Sequence, residues 1–379
     1  MSKRYCIFSA QFLPHMGGVE RYTYYIAKEL QKRGEHVVVV TNNTTGSPMC
    51  EDMEGIQVYR FPCYSLLHGR FPVMKADGGF QKIHGILKQQ NFDAVIINAR
   101  FYIHSIYAAR YALKKGIPCI CIEHGTSHLS VHNIILDKIG DIYEHIHTEI
   151  LKHYCKRYFG VSLACCQWMK HFNIKAEGVL YNAVNLEEIE DLKNRGIHNY
   201  REEYKIDSKD FIVAFTGRLL KEKGIYELIE AVERFNGGEK KIHLFLAGDG
   251  EEWKYVIKHR SNYIHPLGRK DFPEVIELLI QSDIFCLPSF SEGFPTSVLE
   301  AAACGCYIIT TERGGAKELI IAQDYGIVMK DNRVDRIYSA LKRAIDHEEV
   351  RKIGRNLCYK RLKENFTWEK TVDKIEIEV

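Results

Sequence analysis

Several kinds of segment are missing from the 379-residue sequence. No run approaches 18 uninterrupted apolar residues, so no transmembrane helix is predicted. The dinucleotide fingerprint Gly-x-Gly-x-x-Gly and the P-loop Gly-Lys-Ser/Thr are both absent, which argues against a redox enzyme and a P-loop nucleotidase. No Asp-x-Asp triplet occurs, so the usual pair of carboxylates for a bridging metal ion is also missing. Hydrophobic residues at 46% and charged residues at 27% exclude a disordered, collagen-like or coiled-coil chain.

The twelve cysteines lack the spacing of a disulfide or metal-binding framework. No two of them form Cys-x-x-Cys, and several, such as Cys119 and Cys121, lie within short apolar runs. A chain of this length can bury a core without covalent cross-links. We therefore expect reduced thiols in a cytoplasmic protein.

Charge is unevenly distributed along the chain. The first 180 residues contain 21 Lys and Arg against 14 Asp and Glu, whereas the remainder contains 31 against 35. This split favours two domains with different partners, the first of which would face an anionic surface such as a membrane or an acidic acceptor. The alternative is that the split has no functional meaning. The basic excess is small and no nucleic-acid-reading module is present, so we expect no nucleic acid partner.

Apolar runs alternate with helical patterns in the first half of the chain. Helices are expected over Val19–Gln31 and Tyr102–Lys115, because Gly34 and Gly116 follow basic last turns. The expected strands are Tyr5–Ser9, His36–Thr41, Ile56–Phe61, Asp93–Asn98 and Ile117–Ile122. Strands that alternate with helices predict a parallel sheet covered on both faces.

The same alternation restarts after a polar, Glu-rich stretch near residues 180–195. Strands are expected over Phe211–Thr216, Ile242–Ala247, Tyr263–His265, Ile284–Leu287 and Tyr307–Thr310. Helices are expected over Ile225–Phe235, Glu251–His259, Thr296–Cys304, Val334–Asp346 and Val350–Asn365. The fold class is therefore α/β, with two Rossmann-like doubly wound domains facing each other across a cleft. Ligands of such sheets bind beyond the carboxyl ends of the strands, so function is expected in the loops there.

The first of these loops runs from Ser9 to Arg21 and contains Gly17 and Gly18 before a helix. Two glycines let the backbone approach a ligand closely, and the N–H groups of a helix start favour an anion. An ordinary strand-to-helix turn is the alternative for this loop.

The second loop contains Gly217, Arg218 and Lys223 between a strand and a helix. Two fixed cations suit a diphosphate, since arginine offers a planar fork and lysine a point charge. A solvated basic turn is the alternative.

The third loop runs from Pro288 to Ala301 and joins a strand to a helix. Gly293 permits a tight turn, and Pro295-Thr296-Ser297 is typical of a helix start whose N–H groups could bind phosphate oxygens. Two carboxylates, Glu292 and Glu300, flank this start and suit the hydroxyls of a ribose or a hexose. Each glutamate alone could equally be an ordinary surface carboxylate.

Glu292-x7-Glu300, within Ser-Glu-Gly-Phe-Pro-Thr-Ser-Val-Leu-Glu-Ala, resembles the signature of the retaining glycosyltransferases of family 4, which have the GT-B fold. The resemblance extends over nearly the whole chain. Its other segments are Gly17–Arg21, Tyr181–Asn185, Gly217-Arg218 with Lys223-Gly224, Leu246–Gly250 and Phe366–Glu369. Ala183 and Asn185 depart from the family's usual Gly and Asp. The short tail after Trp368 predicts an incomplete final helix.

The resemblance implies a role for each motif residue. Arg218 and Lys223 would bind the diphosphate of a nucleotide-sugar, Glu300 the ribose, and Glu292 the transferred sugar. His124 would approach that sugar from the N-terminal domain, a structural histidine being the alternative. The remaining donor-binding residues would be Gly17, Gly18, Gly217, Arg269, Lys270, Phe294, Pro295, Thr296 and Ser297. No metal and no cofactor are expected. The implied domains are 1–181 on the acceptor side, 182–363 for the nucleotide-sugar, and 364–379 packing back towards the first.

The predicted activity is transfer of a hexose-type sugar from a UDP- or GDP-linked donor, with retention, to a lipid-linked or cell-surface glycan precursor. Acceptor loops are expected over Pro62–Gly79 and Gly125–Asn133. Residues 141–157 and Trp168–Phe172 could form a basic, aromatic face for peripheral contact with an anionic membrane at the inner face of the cell, an ordinary solvated face being the alternative. Alternative functions are a nucleotide-sugar epimerase or sugar phosphorylase of the same fold class, and a non-catalytic partner subunit.

Overall fold

A computed structural model describes residues 2–15, 17–67, 69–128, 133–195 and 198–379. The chain divides into two compact units. One contains the residues up to Asn182 together with Trp368–Val379, and the other is Ala183–Thr367. Met16 and residues 129–132 of the expected acceptor loop lie outside the described residues.

The first unit is built on a sheet of eight strands in the order β10-β9-β8-β7-β1-β2-β4-β3, parallel except for the antiparallel pair β3 and β4. Its strands, with those of a separate antiparallel hairpin β5–β6, are β1 (Arg4–Ser9), β2 (His36–Asn42), β3 (Cys50–Met53), β4 (Ile56–Phe61), β5 (Cys63–Leu66), β6 (Phe71–Met74), β7 (Ala94–Asn98), β8 (Cys119–Glu123), β9 (Arg157–Gly160) and β10 (Gly178–Val179). β1, β2 and β7 are almost wholly buried, and most of their residues are accordingly apolar on both faces.

The helices of this unit cover the sheet. They are α1 (Gly18–Lys32), α2 (Gly78–Gln89), α3 (Ile103–Lys115), α4 (Ile134–Tyr154) and α5 (Leu163–Met169), the last followed by the 3-10 turn Lys170–Phe172. α3 ends at Gly116, whose positive φ of 67° gives the left-handed cap that the sequence predicts. Asn133 begins α4, because its side chain accepts hydrogen bonds from the N–H groups of Ile135 and Leu136.

The second unit has a fully parallel sheet in the order β13-β12-β11-β14-β15-β16. The strands are β11 (Phe211–Thr216), β12 (Ile242–Ala247), β13 (Ile264–Gly268), β14 (Ile284–Leu287), β15 (Tyr307–Thr311) and β16 (Ile327–Met329). The helices are α6 (Leu186–Lys193), α7 (Tyr200–Glu203), α8 (Ile225–Phe235), α9 (Trp253–Lys258), α10 (Phe272–Ile280), α11 (Thr296–Ala303), α12 (Ala316–Leu319), α13 (Val334–Asp346) and α14 (Glu348–Asn365), with a 3-10 turn at Lys221–Lys223. Strand order reverses between β11 and β14, so the loops after these two strands lie at the topological switch point. Two Rossmann-like domains are thus confirmed.

The last helix, α15 (Trp368–Glu378), belongs to the first unit. Arg33 at the end of α1 lies 2.9 Å from Asp373 and 2.6 Å from Glu376. The ring of Trp368 stacks on Tyr25 at a centroid distance of 5.4 Å. The expectation of an incomplete final helix is wrong, because eleven residues after Phe366-Thr367 are helical and packed.

Residues 62–79 were expected as a loop, but most of this stretch forms the β5–β6 hairpin and the start of α2. The hairpin escapes prediction because Pro72 lies inside β6, and proline in a run of strand-like residues argues against a strand. No helix in the described part of the chain combines the length and hydropathy needed to cross a bilayer.

Candidate active site

Two loops at the carboxyl ends of β11 and β12 lie in direct backbone contact. A Cβ on Gly248 would overlap the carbonyl oxygen of Gly217, and one on Gly250 would lie 2.5 Å from the carbonyl oxygen of Leu219. The N–H of Leu219 donates to the carbonyl of Asp249 at 2.9 Å. Gly217 itself has a φ of +145°, which favours glycine. The close approach of these loops therefore requires Gly248 and Gly250, whereas Gly217 is favoured by its backbone conformation.

Lys223 and Glu292 form the centre of the candidate site. Nζ of Lys223 lies 2.6 Å from Oε1 of Glu292, with the two side chains 18% and 10% exposed. These residues come from the loops after β11 and β14, which the backbone also joins: the N–H of Phe290 donates to the carbonyl of Glu222 at 2.9 Å. The sequence predicted that both side chains serve one ligand, and the structure brings them together.

Arg218 follows Gly217 and is exposed to solvent. Its guanidinium has no hydrogen bond or ion pair with any residue that the structure describes. The strongest hydrogen-bonding cation of the loop is therefore available to a bound anion.

The helix α11 begins directly after the Glu292 loop. Pro295 is extended at its N-cap, and the next two residues, Thr296 and Ser297, are half-buried in the first turn. Glu300 lies one turn further and is only 4% exposed. Because the carboxylate of Glu300 is buried, it can contact a ligand only where that ligand reaches in between the loops at the carboxyl ends of the strands.

Phe294 is packed inside the second unit. Its ring makes an edge contact with Phe366 at 5.2 Å, and a Cβ on Gly315 would lie 2.5 Å from it. The ring thus anchors the loop, which leaves the backbone of Phe294 as its only part that could contact a ligand.

Arg269 and Lys270 follow β13, at the edge of the sheet. Arg269 is exposed, whereas Nζ of Lys270 lies 2.7 Å from Oε1 of Glu274 on the next helix. This pair raises the pKa of Lys270, so the ammonium remains charged. The loop is joined to the others through a 2.8 Å hydrogen bond from the N–H of Gly248 to the carbonyl of Gly268.

His124 follows β8 in the first unit, and a chain of hydrogen bonds sets its tautomer. The hydroxyl of Thr23 donates to a helix carbonyl at 2.8 Å and accepts from Nδ2 of Asn98 at 2.7 Å. Oδ1 of Asn98 is then left to accept from Nε2 of His124, 3.2 Å away. The hydrogen therefore lies on Nε2, and Nδ1 offers a lone pair. Burial lowers the pKa of His124 to about 3, so the ring is neutral at pH 7.

Gly17 and Gly18 precede and begin α1. Gly17 is extended, and a Cβ there would lie 2.5 Å from Oε2 of Glu20, whereas Gly18 has open space around it. Glu20 is buried in the first turn of the helix, where a carboxylate complements the helix dipole. A neutral sugar suits this position better than a second anion.

Two family models match the chain, one for each half. "Glycosyltransferase Family 4" matches residues 16–188 and "Glycosyl transferases group 1" matches residues 196–359. The chain is a glycosyltransferase of the GT-B, family 4-like type. It is 26% identical to an uncharacterized glycosyltransferase of Methanocaldococcus jannaschii, over 97% of this chain and 95% of the relative.

Two further comparisons agree with that assignment. The glycosyltransferase is 26% identical to the N,N'-diacetylbacillosaminyl-diphospho-undecaprenol alpha-1,3-N-acetylgalactosaminyltransferase of Campylobacter jejuni, over 90% of each chain. It also superimposes on HepE of Anabaena, solved with UDP-glucose, with a TM-score of 0.76 at 16% identity, covering 99% of this chain and 98% of that one. The fold class inferred from the sequence is thereby confirmed.

A buried network of ion pairs adjoins His124 in this glycosyltransferase, and it was not predicted from the sequence. Oε1 of Glu123 accepts from the N–H groups of His124 and Gly125, both at 3.0 Å. Its Oε2 lies 2.8 Å from Nε of Arg100. Nη2 of the same arginine lies 3.0 Å from Oε2 of Glu144. All three charged side chains are buried, and burial raises the pKa of Glu123. The only signal in the sequence was an arginine two residues past the end of β7.

Proposed function

We propose that this glycosyltransferase moves a hexose-type sugar from a UDP- or GDP-linked donor to a glycan or lipid-linked acceptor, with retention of configuration and without a metal ion at the diphosphate. The observation that carries the proposal is the contact of Lys223 with Glu292 at the switch point of the second sheet, on a loop that also carries the exposed Arg218. A UDP-linked donor is favoured by the likeness to HepE, which was solved with UDP-glucose.

Charge complementarity lowers the activation barrier in this mechanism. As the bond between the anomeric carbon and the phosphate oxygen breaks, negative charge grows on the leaving diphosphate and the carbon becomes oxocarbenium-like. Lys223, Arg218 and the N–H groups at the start of α11 stabilise that charge more in the transition state than in the ground state. Glu300 holds the ribose hydroxyls.

Glu292 and His124 are assigned to the transferred sugar. Glu292 accepts a hydrogen bond from a sugar hydroxyl while Lys223 balances its charge. His124 accepts one at Nδ1, since its Nε2–H is engaged with Asn98. No side chain acts as an obligatory nucleophile: the acceptor hydroxyl enters on the leaving-group face, and its proton passes to the departing phosphate.

A screen of UDP- and GDP-sugars by thermal shift and by donor hydrolysis tests the donor assignment. Proton NMR of the product, taken before mutarotation, then reads the anomeric configuration. Inversion, or a strict requirement for added Mg²⁺ or Mn²⁺, would contradict the proposed mechanism. Conversion of the donor into a different nucleotide-sugar with no acceptor present would instead identify an epimerase, and binding without turnover on any acceptor would favour a non-catalytic subunit.

An exposed apolar stripe on α4 supports a lipid-linked acceptor and peripheral membrane contact in the cytoplasm. The side chains recur every three or four residues, and each is between 43% and 72% exposed: Ile135, Ile139, Ile142, Ile146 and Ile150. Such a face suits insertion at a bilayer interface. The name of the C. jejuni relative, which specifies a diphospho-undecaprenol acceptor, points the same way.

The composition of this face differs from the aromatic one expected from the sequence. Phe172 is buried and Trp168 is half-buried, so the exposed apolar atoms come from isoleucines. Flotation with anionic and neutral vesicles tests the contact. Ile142→Glu and Ile146→Glu should abolish co-flotation, while Leu113→Glu, at an exposed position of α3, should not. Absence of the wild type from both lipid fractions would rule out membrane contact.

A further inference from the structure

Three histidines of the first unit direct their Nε2 atoms at one another. His128 follows β8, His145 lies in α4, and His171 lies in the 3-10 turn after α5. Nε2 of His171 is 3.2 Å from that of His128 and 3.1 Å from that of His145. Across the described ranges, no other group of three His, Cys, Asp or Glu side chains converges in this way. None of the three histidines has a role in the transfer mechanism proposed above.

Hydrogen bonds among the three rings do not account for this arrangement. Nδ1 of His128 lies 3.2 Å from Oε2 of Glu144 and 3.5 Å from Oδ1 of Asp141, and these two carboxylates electrostatically favour a ring proton on Nδ1. Nε2 of His128 then presents a lone pair to His171. A single N–H on Nε2 of His171 would have to serve both His128 and His145, whereas a cation accepts a lone pair from each ring at once.

The distances match a zinc ion. Tetrahedral Zn²⁺ binds imidazole nitrogen at about 2.0–2.1 Å, which separates neighbouring ligand atoms by about 3.3 Å. The two separations from Nε2 of His171, 3.1 and 3.2 Å, need only a small expansion to admit the ion, and all three ligand atoms lie within 4.8 Å of one another. The carboxylates near Nδ1 of His128 are placed to supply the outer contact that orients histidine ligands in metal sites. We propose that His128, His145 and His171 bind one Zn²⁺, with water as the fourth ligand.

The surroundings are built to hold these rings in place. The indole of Trp168 stacks on His171 at 5.0 Å with an interplanar angle of 11°. Arg100 lies over the ring of Phe172 at 3.6 Å and also binds Glu144, the carboxylate that contacts His128. The metal would therefore cross-link the loop after β8 to α4 and to the turn after α5. Because that loop also carries His124, the ion would brace a residue assigned to the sugar without taking part in bond breaking.

Metal titration of the full-length protein tests the site independently of donor, acceptor and turnover. The protein is treated with chelator, dialysed in metal-free buffer with a non-thiol reductant, and titrated with Co²⁺ and then Zn²⁺. We expect one equivalent of Co²⁺ with the visible absorption of a tetrahedral site, displaced by Zn²⁺. His145→Ala and His171→Ala should each weaken Zn²⁺ affinity by more than roughly 100-fold, beyond the effect of losing an outer-shell partner.

His153→Ala is the matched control, because His153 lies on the same helix, is exposed, and is engaged with the carbonyl of Glu149. It should retain wild-type affinity, and Zn²⁺ should raise the melting temperature of this variant and the wild type but not of the ligand variants. Circular dichroism verifies that each variant is folded, and His145→Gln and His171→Asn replace any that is not. Absence of stoichiometric binding by the wild type overturns the proposal. So does equal affinity in folded ligand variants, which would assign the metal to the thiols.

Discussion

Removal of the Lys223 ammonium is the sharpest test of the diphosphate site. Lys223 is mostly buried against Glu292, so its charge is less screened than that of a surface lysine. At an effective dielectric constant of about 20, a charge roughly 4 Å away contributes about 4 kcal/mol per unit charge. Only part of a charge develops on the leaving oxygen, so Lys223→Ala should cost about 3 kcal/mol, or roughly 10²–10³ in kcat. Arg218→Ala should produce a loss of the same order.

The assay is initial-rate turnover at saturating donor, with Lys221→Ala as the matched control. Lys221 lies in the same 3-10 turn but is exposed, so its removal should change kcat by less than about threefold. Glu292→Gln in the Lys223→Ala background should cost less than in the wild type, because the two side chains act as a pair. Turnover close to that of the wild type in both Lys223→Ala and Arg218→Ala would refute the assignment of the diphosphate to this loop.

Two further predictions concern stability. Gly248→Ala should lower the free energy of unfolding by about 1–3 kcal/mol or more, since its Cβ would overlap the carbonyl of Gly217, whereas Gly237→Ala, which meets nothing closer than 3.6 Å, should be nearly neutral in the same urea titration. Burial lowers the pKa values of His104 and His124 to about 3, so only the unfolded chain gains these protons as the pH falls below about 6.5. Above pH 6.5 these histidines do not reduce the stability of the folded state. Between pH 6.5 and 3 each of them should lower the free energy of unfolding by roughly 1 kcal/mol per pH unit. Urea titrations at pH 7.5 and 5.5 measure this loss of unfolding free energy. If His124→Gln loses as much stability between the two pH values as the wild type does, burial of His124 is not the cause.

Helices and strands were predicted correctly where the hydrophobic pattern of a segment matches the face that it buries. The β-branched runs in β2 and β11 and the strongly amphipathic α13 were all predicted within a residue of their observed bounds. The meeting of Lys223 with Glu292 also followed, since loops after neighbouring parallel strands share one edge of the sheet. The roles of these residues in catalysis stay predictions.

Contacts set only by tertiary packing did not follow from the sequence. Arg100 and Glu144 are 44 residues apart and form no recognisable motif, yet they share a buried ion pair. The histidines of the proposed zinc site are likewise spread over a loop, a helix and a turn, at spacings that match no short metal-binding pattern. Neither arrangement leaves a periodic signal, because neither depends on a single element.

The packing of α15 against α1, with its ion pairs to Arg33, has a consequence for the order in which the two units can fold. A ribosome emits Trp368–Glu378 only after all of Ala183–Thr367, so the N-terminal unit lacks one of its own helices while the whole second unit is being made. The second unit, which is continuous in sequence, can reach its native state while the earlier-made segment still waits for its final helix. The order in which the two units are completed can thus be the reverse of the order in which they are begun.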